Sequence, residues 1–120
     1  MTVKELYDSI GGNYEKAVQT MMNDAFIVRM LSKFIAKNAY ADIIASYEQM
    51  KVREVFEASH SLKGVSGNLS LTSLYEKAGV ICEATRTLNE GDSVNLDKEI
   101  EELKEVYQRV KSGVEAYLNQ

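Results

Sequence analysis

Apolar residues recur along this chain at three- and four-residue intervals, the spacing that places them on one face of an α-helix. Ile27, Met30, Leu31, Phe34 and Ile35 make the first long stripe and predict a helix from about Asp24 to near Asn38. Tyr40, Ile43, Ile44 and Tyr47 mark a shorter helix after it. Val52, Val55, Phe56, Ser59 and Leu62 form the inward stripe of a helix over about Val52 to Ser66, with Gly67 and Asn68 as its stop. Leu71, Leu74, Tyr75, Ala78, Ile81, Cys82 and Thr85 share a face of the next helix, capped by Ser73 with Glu76 or by Thr72. Beyond the loop from Asn89 to Ser93, the residues Leu96, Ile100, Leu103, Tyr107, Val110, Val114 and Tyr117 predict a last helix ending near Leu118. Ahead of all these, Thr2 and Glu5 have the form of a capping box and start a short helix. Gly11, Gly12 and Asn13 interrupt it, and a second short helix follows from Tyr14 to Met22.

No stretch sustains the alternation of a strand, and proline is absent. Long amphipathic helices joined by short loops imply antiparallel neighbours. The expected fold is all-α: an antiparallel four-helix bundle with one or two short extra N-terminal helices. We expect one domain over residues 1–120, with short helices in 1–22 and the bundle in 24–120. A chain of 120 residues is long enough to bury one real core. The capping box directly after Met1 favours a complete chain over a piece of a larger kinase.

Charge and cysteine content narrow the function classes. The formal net charge of −4 argues against nonspecific nucleic-acid binding, which needs Lys and Arg to neutralise phosphates. A single cysteine, Cys82, leaves no internal disulfide and no Cys-rich metal site. The N-terminus lacks the basic region and apolar run of a secretory signal, and no run is long enough to span a bilayer. The expected compartment is the cytoplasm, with no membrane partner.

The one string that carries chemistry is His60-Ser61-Leu62-Lys63-Gly64-Val65-Ser66-Gly67-Asn68-Leu69, which holds the only histidine. Lys63 and Gly64 follow it by three and four residues and so flank it on the helix surface. On the helix wheel His60 falls roughly 110° from the centre of the apolar stripe, at the edge of the buried face. Gly64 lies further toward solvent, and Lys63 lies nearer the stripe with a stem that can run over apolar surface. A neutral imidazole has a nucleophilic lone pair and needs no separate base to attack phosphorus. A neighbouring ammonium would meet the nonbridging oxygens where negative charge sits during transfer. Gly64, with no Cβ, would let a partner come close, and Gly67 is a candidate for the same role or for a plain helix stop. A lone histidine on a helix edge is commonly an ordinary surface residue. Against that, Leu, Lys and Gly at these three offsets are a coincidence on the order of one in a thousand from residue frequencies. Glycine also costs a helix about 1 kcal/mol relative to alanine, so its place beside His60 asks for a reason.

At these residues the chain resembles the histidine-containing phosphotransfer (HPt) family, whose pattern is His, any residue, Leu, Lys, Gly, then often Asn-Leu-Gly before a helix opening with Leu. The resemblance covers about Asp24 to the C-terminus, and the segment from Val3 to Tyr14 resembles stand-alone bacterial members more loosely. It implies a phosphorelay intermediate that shuttles phosphoryl groups between receiver aspartates, a phosphocarrier and not an autonomous kinase. By that analogy His60 is the phosphoacceptor through Nε2, Lys63 stabilises the phosphoryl group, and Gly64 admits the receiver. The implied partners are receiver domains of response regulators and hybrid histidine kinases, with Mg²⁺ on the receiver and no cofactor of its own; a monomer is expected. Two positions depart from the pattern. Ser70 stands where the family has glycine. Cys82, a poor acceptor, stands where many members have Gln or Glu to bond the second imidazole nitrogen. Gly79 and Arg86 lie on the same edge of that helix, and Glu83 points roughly 100° away from Cys82. A backbone carbonyl or water could serve instead, and Cys82 reads best as a small buried residue.

These departures motivate the alternative, an HPt-like interaction module that binds receiver or kinase domains without transfer. A metalloprotein bundle fails for want of paired inward Glu and His ligands, so no metal is expected. Val65, Glu57 and Gly67 are candidates for the partner surface, with an ordinary solvated face as the competing reading.

Overall fold

The Thr2 hydroxyl accepts from the Glu5 amide and the Glu5 carboxylate accepts from the Thr2 amide, the reciprocal box its sequence predicts. The computed structural model describes residues 1–120, and this box starts the first of seven helices. They are α1 (Val3–Ser9), α2 (Tyr14–Met21), α3 (Asp24–Ala36), α4 (Tyr40–Glu48), α5 (Val52–Asn68), α6 (Thr72–Thr85) and α7 (Asp97–Leu118). There is no strand.

Helices α5, α6 and α7 form three successive antiparallel walls of a bundle. The fourth wall is broken in two: α4 runs beside the N-terminal half of α5, and α3 beside its C-terminal half. Asn38 makes the break. Its side-chain amide donates to the Phe34 carbonyl at 2.8 Å, ending α3, while its Oδ1 accepts from the Tyr40 amide at 2.8 Å, starting α4. The same amide donates to the Tyr107 hydroxyl, and Tyr107 stacks on Tyr40 with centroids 3.8 Å apart, tying the break to α7.

One apolar cluster runs through the whole chain, from Val3 and Leu6 through Ile27, Leu31, Val55, Leu62, Leu74 and Ile81 to Leu103 and Val114. Full burial of each Leu or Ile side chain is worth about 1.5–3 kcal/mol. Where helices approach closely the core uses small hydroxyls. Ser59 and Ser66 on α5, Ser46 on α4 and Thr85 on α6 are buried, and each donates back to a carbonyl of its own helix. Those bonds satisfy hydroxyls that would otherwise be costly to bury.

Helices α1 and α2, the two short extra helices, plug one end of the bundle. Tyr7 is fully buried and donates to the Leu69 carbonyl at 2.8 Å. The turn between α1 and α2 clamps the turn between α5 and α6, because Asn13 N donates to Ser70 O and Ser73 N donates to Gly11 O. At Gly113 on α7 an added Cβ would sit 2.5 Å from Ile10, so glycine there admits α1.

Four local expectations need correction. Helix α5 runs two residues past Ser66, through Gly67 and Asn68, and the chain turns at Ser70, which has φ +55°. Neither Thr72 nor Ser73 caps α6 with its side chain; the carbonyl of Gly11, brought in by the plug, meets the Ser73 amide. Phe56 and Tyr75 are not core residues: Phe56 is half-buried and Tyr75 is exposed. Both stand on the same side of the bundle as His60, for the reasons given next.

Candidate functional site

Arg53 and Phe56 stand seven and four residues before His60, and Lys63 and Gly64 three and four after it, so α5 lines the five up in one stripe beside its buried face. His60 is exposed. Gly64, one turn on, is also exposed, and a Cβ placed there would meet nothing within 4 Å. The space beside the imidazole is therefore open. Gly67 differs: a Cβ there would lie 3.1 Å from the Tyr75 ring, so this glycine seats a side chain of its own chain.

Lys63 reaches across to α6. Its stem passes Gly79, where an added Cβ would lie 3.7 Å from the Lys63 Cδ and Cε, an ordinary contact. Its ammonium sits 5.5 Å from the centroid of the Tyr75 ring. The five ion pairs of the molecule do not include it, so its charge is held by an aromatic face that an incoming anion can compete with.

On the other side of His60 the imidazole lies parallel to Phe56, 6° apart in plane with centroids 5.8 Å apart. That is an offset stack. Two guanidinium groups crowd the same Phe56 ring, Arg53 at 4.8 Å and Arg86 at 5.4 Å. Arg53 donates to the carbonyls of Arg86 and Leu88, 3.1 and 3.0 Å away, and so satisfies the open C-terminal end of α6. Arg86 is paired with Glu83 at 3.0 Å and leans toward Cys82 Sγ at 3.9 Å. Three cations, Arg53, Lys63 and Arg86, thus lie over the Phe56 and Tyr75 rings on the His60 side of a chain of net charge −4.

Of the residues expected on the following helix, Arg86 joins the site through Phe56, and Gly79 gives room to the Lys63 stem. Glu83 is exposed and serves Arg86. Cys82 is fully buried, as a small apolar residue would be. No protein side chain donates to or accepts from either nitrogen of His60; the ring stacks on Phe56. Phe56, Arg53 and Tyr75 were missed in the sequence because two of them are aromatic and read as core. Their signal was spacing: Arg53 and Phe56 fall within about 40° of His60 on the helix wheel.

Along the α3 side of α5, Met30, Phe34, Leu62 and Val65 line a groove of about 370 Å³ edged by Lys33 and Lys37. Val65 is 42% exposed there, a large apolar side chain left open on the α3 side of α5. No helix of the molecule is long and apolar enough to cross a membrane.

A family model described as the Hpt domain matches residues 29–113, most of the chain. No curated protein and no solved structure gives a significant match to it.

Proposed function

The chain belongs to the Hpt domain family, and from that premise we propose that His60 is the residue that carries the phosphoryl group between receiver aspartates. Membership carries the general role, histidine phosphotransfer within a phosphorelay by a module that is a phosphocarrier and not a kinase. It also implies contact with receiver or kinase domains of two-component systems. The single observation that supports the assignment to His60 is its setting. The only imidazole of the chain is exposed, lies within the matched span and has open space at Gly64 beside it.

The step follows from the site. The Nε2 lone pair attacks the phosphorus of an aspartyl phosphate on the partner. An N–P bond forms, the P–O bond to the aspartate breaks, and the carboxylate leaves with the electron pair while Nδ1 keeps its proton. Lys63 leaves the Tyr75 ring for the nonbridging oxygens and offsets their charge. Gly64 lets the partner's aspartate come within reach of the imidazole. Reversal of the same step on a second receiver passes the group on. The Mg²⁺ of the reaction is assigned to the receiver. The apolar groove at Met30, Phe34 and Val65, with Glu57 on the neighbouring edge, is the surface we assign to receiver docking.

Intact mass tests this reading. Wild type treated with phosphoramidate gains one acid-labile phosphoryl group and loses it to an added receiver domain with Mg²⁺; His60→Gln gains none and stays folded. Labelling of His60→Gln would sink the assignment. A folded wild type that binds receivers but takes up nothing would favour the relay-inactive module, which the departures at Ser70 and at the buried Cys82 motivate.

A further inference from the structure

A nucleophilic imidazole is useful only if its ring is held at a fixed angle to the incoming phosphorus, because small misplacements cost large factors in rate. A hydrogen bond to the second ring nitrogen would hold it, and no side chain of this protein supplies one: Cys82 is buried and bonded to Arg86 instead. What does touch the ring is Phe56, parallel to it within 6°.

Phe56 is itself unusually constrained for a half-buried side chain. It lies outside the apolar core, so the core does not position it. Arg53 and Arg86 sit over its ring. Arg53 is anchored at its far end by the carbonyls of Arg86 and Leu88, which belong to the end of α6 and the residues after it. The chain of contacts runs from the end of α6 to Arg53, from Arg53 to the Phe56 ring, and from that ring to the imidazole. Each link is fixed in direction: a two-pronged hydrogen bond, a cation over a ring face, and an offset stack.

We infer that Phe56, locked by Arg53, is a positioning residue that sets the plane of the His60 imidazole for transfer, in place of the hydrogen bond that Cys82 cannot give. The inference rests on the reading of His60 as phosphoacceptor. The stack fixes the ring plane and leaves both ring nitrogens free along its edge, so Nε2 stays accessible. Because α6 supplies the anchor, the ring angle depends on how α5 and α6 pack at this end of the bundle.

The test uses the full chain as wild type, Phe56→Leu, Phe56→Tyr and Arg53→Met, with two readouts. The first is the pair of carbon-bound imidazole protons in NMR spectra, unambiguous because His60 is the only histidine. They carry the ring current of Phe56, so they should move in Phe56→Leu, stay near their wild-type positions in Phe56→Tyr and shift partway in Arg53→Met. The second is the rate of phosphoryl uptake from a phosphorylated receiver domain. It should fall about fivefold in Phe56→Leu, the factor that roughly 1 kcal/mol of lost stacking and cation contact represents, and recover in Phe56→Tyr. Coincident imidazole signals in wild type and Phe56→Leu overturn the stack. Moved signals with an unchanged rate overturn the positioning role. Failure of wild type to take up any phosphoryl group from phosphoramidate sinks the phosphoacceptor reading itself, whereas uptake by wild type with an unslowed Phe56→Leu sinks only this inference.

Discussion

A methyl group added at Gly12 would lie 2.5 Å from the Tyr7 ring and 3.1 Å from the Ser70 carbonyl; one added at Gly64 would meet nothing within 4 Å. The same residue type serves the plug by filling and the His60 face by leaving space. In the plug, glycine lets backbone and a buried ring approach so closely that no side chain fits. On the His60 face, glycine occupies an exposed helical position where alanine would be about 1 kcal/mol better. The first arrangement raises stability, and the second gives some up where a partner must reach the imidazole. Tyrosine shows the same division. Tyr7 is buried with its hydroxyl bonded to Leu69 O, while Tyr75 lies 40% exposed as a resting place for Lys63.

The sharpest break of this comparison is Gly12→Ala. The added carbon collides with a fixed carbonyl and a buried ring, so the expected loss is about 2–3 kcal/mol in chemical denaturation. A loss under half that would mean the plug is looser than its distances say. Tyr7→Phe comes next: it strips the Leu69 carbonyl of a buried donor and should cost about 1–2 kcal/mol. Burial pushes the Tyr7 phenol far above its ordinary value of 10.0. The folded state therefore holds that proton more tightly, and the stability this contributes is complete below pH 10.0 and lost as pH rises above it. Wild type should weaken more steeply than Tyr7→Phe under alkaline conditions, and parallel curves would contradict the burial argument.

Ser70→Gly should stabilise by about 1 kcal/mol. Ser70 holds φ +55°, a left-handed conformation that suits glycine, and its buried hydroxyl has no partner. Unfolding at lower denaturant than wild type would show that the serine is supported in some way its contacts do not reveal. Gly64→Ala is the mirror of Gly12→Ala: a gain of about 0.5–1 kcal/mol in stability, with transfer from a receiver slowed more than uptake from phosphoramidate. A transfer rate equal to wild type would remove Gly64 from partner access. The smallest effect belongs to Glu102, whose carboxyl Lys77 holds below the ordinary 4.5 by a 3.0 Å hydrogen bond and by its charge. A lowered value stabilises the fold above pH 4.5 and ceases to do so as pH falls through the folded value, so Glu102→Gln should lack a small acid-side decline that wild type shows.

The helices and the motif were legible in the chain because both rest on short-range spacing. Ile27, Leu31 and Phe34 of the first stripe and Ile100, Leu103, Tyr107, Val110 and Val114 of the last are buried as their spacing promised, while Met30 and Ile35 are half-buried. His60, Lys63 and Gly64 are neighbours on α5 because three and four residues make a turn. What the sequence concealed came from elsewhere in space. The carbonyl that meets the start of α6 belongs to Gly11, some sixty positions away, so Thr72 and Ser73 looked like caps they are not. Phe56 lies about 80° from the centre of its buried stripe and about 40° from His60 on the wheel, yet a phenyl ring counts as core in any reading of hydrophobicity. Tyr75 misled in the same way. The stop at Gly67 and Asn68 was legible because α5 does end at Asn68, but the left-handed turn falls at Ser70, a residue type that does not announce one.

The plug's hydrogen bond from Tyr7 to Leu69 closes a span of 62 residues, whereas α4 with α5, α5 with α6 and α6 with α7 pack as neighbours in the chain. Contacts that close long loops carry their entropic cost before they return any stabilisation, so the hairpins of α4 to α7 should assemble first and the N-terminal helices dock last. Gly12→Ala and Tyr7→Phe would then act after the rate-limiting barrier: they should leave the refolding rate nearly intact and speed unfolding. The N-terminal helices would serve less to build the bundle than to set how long it lasts once built.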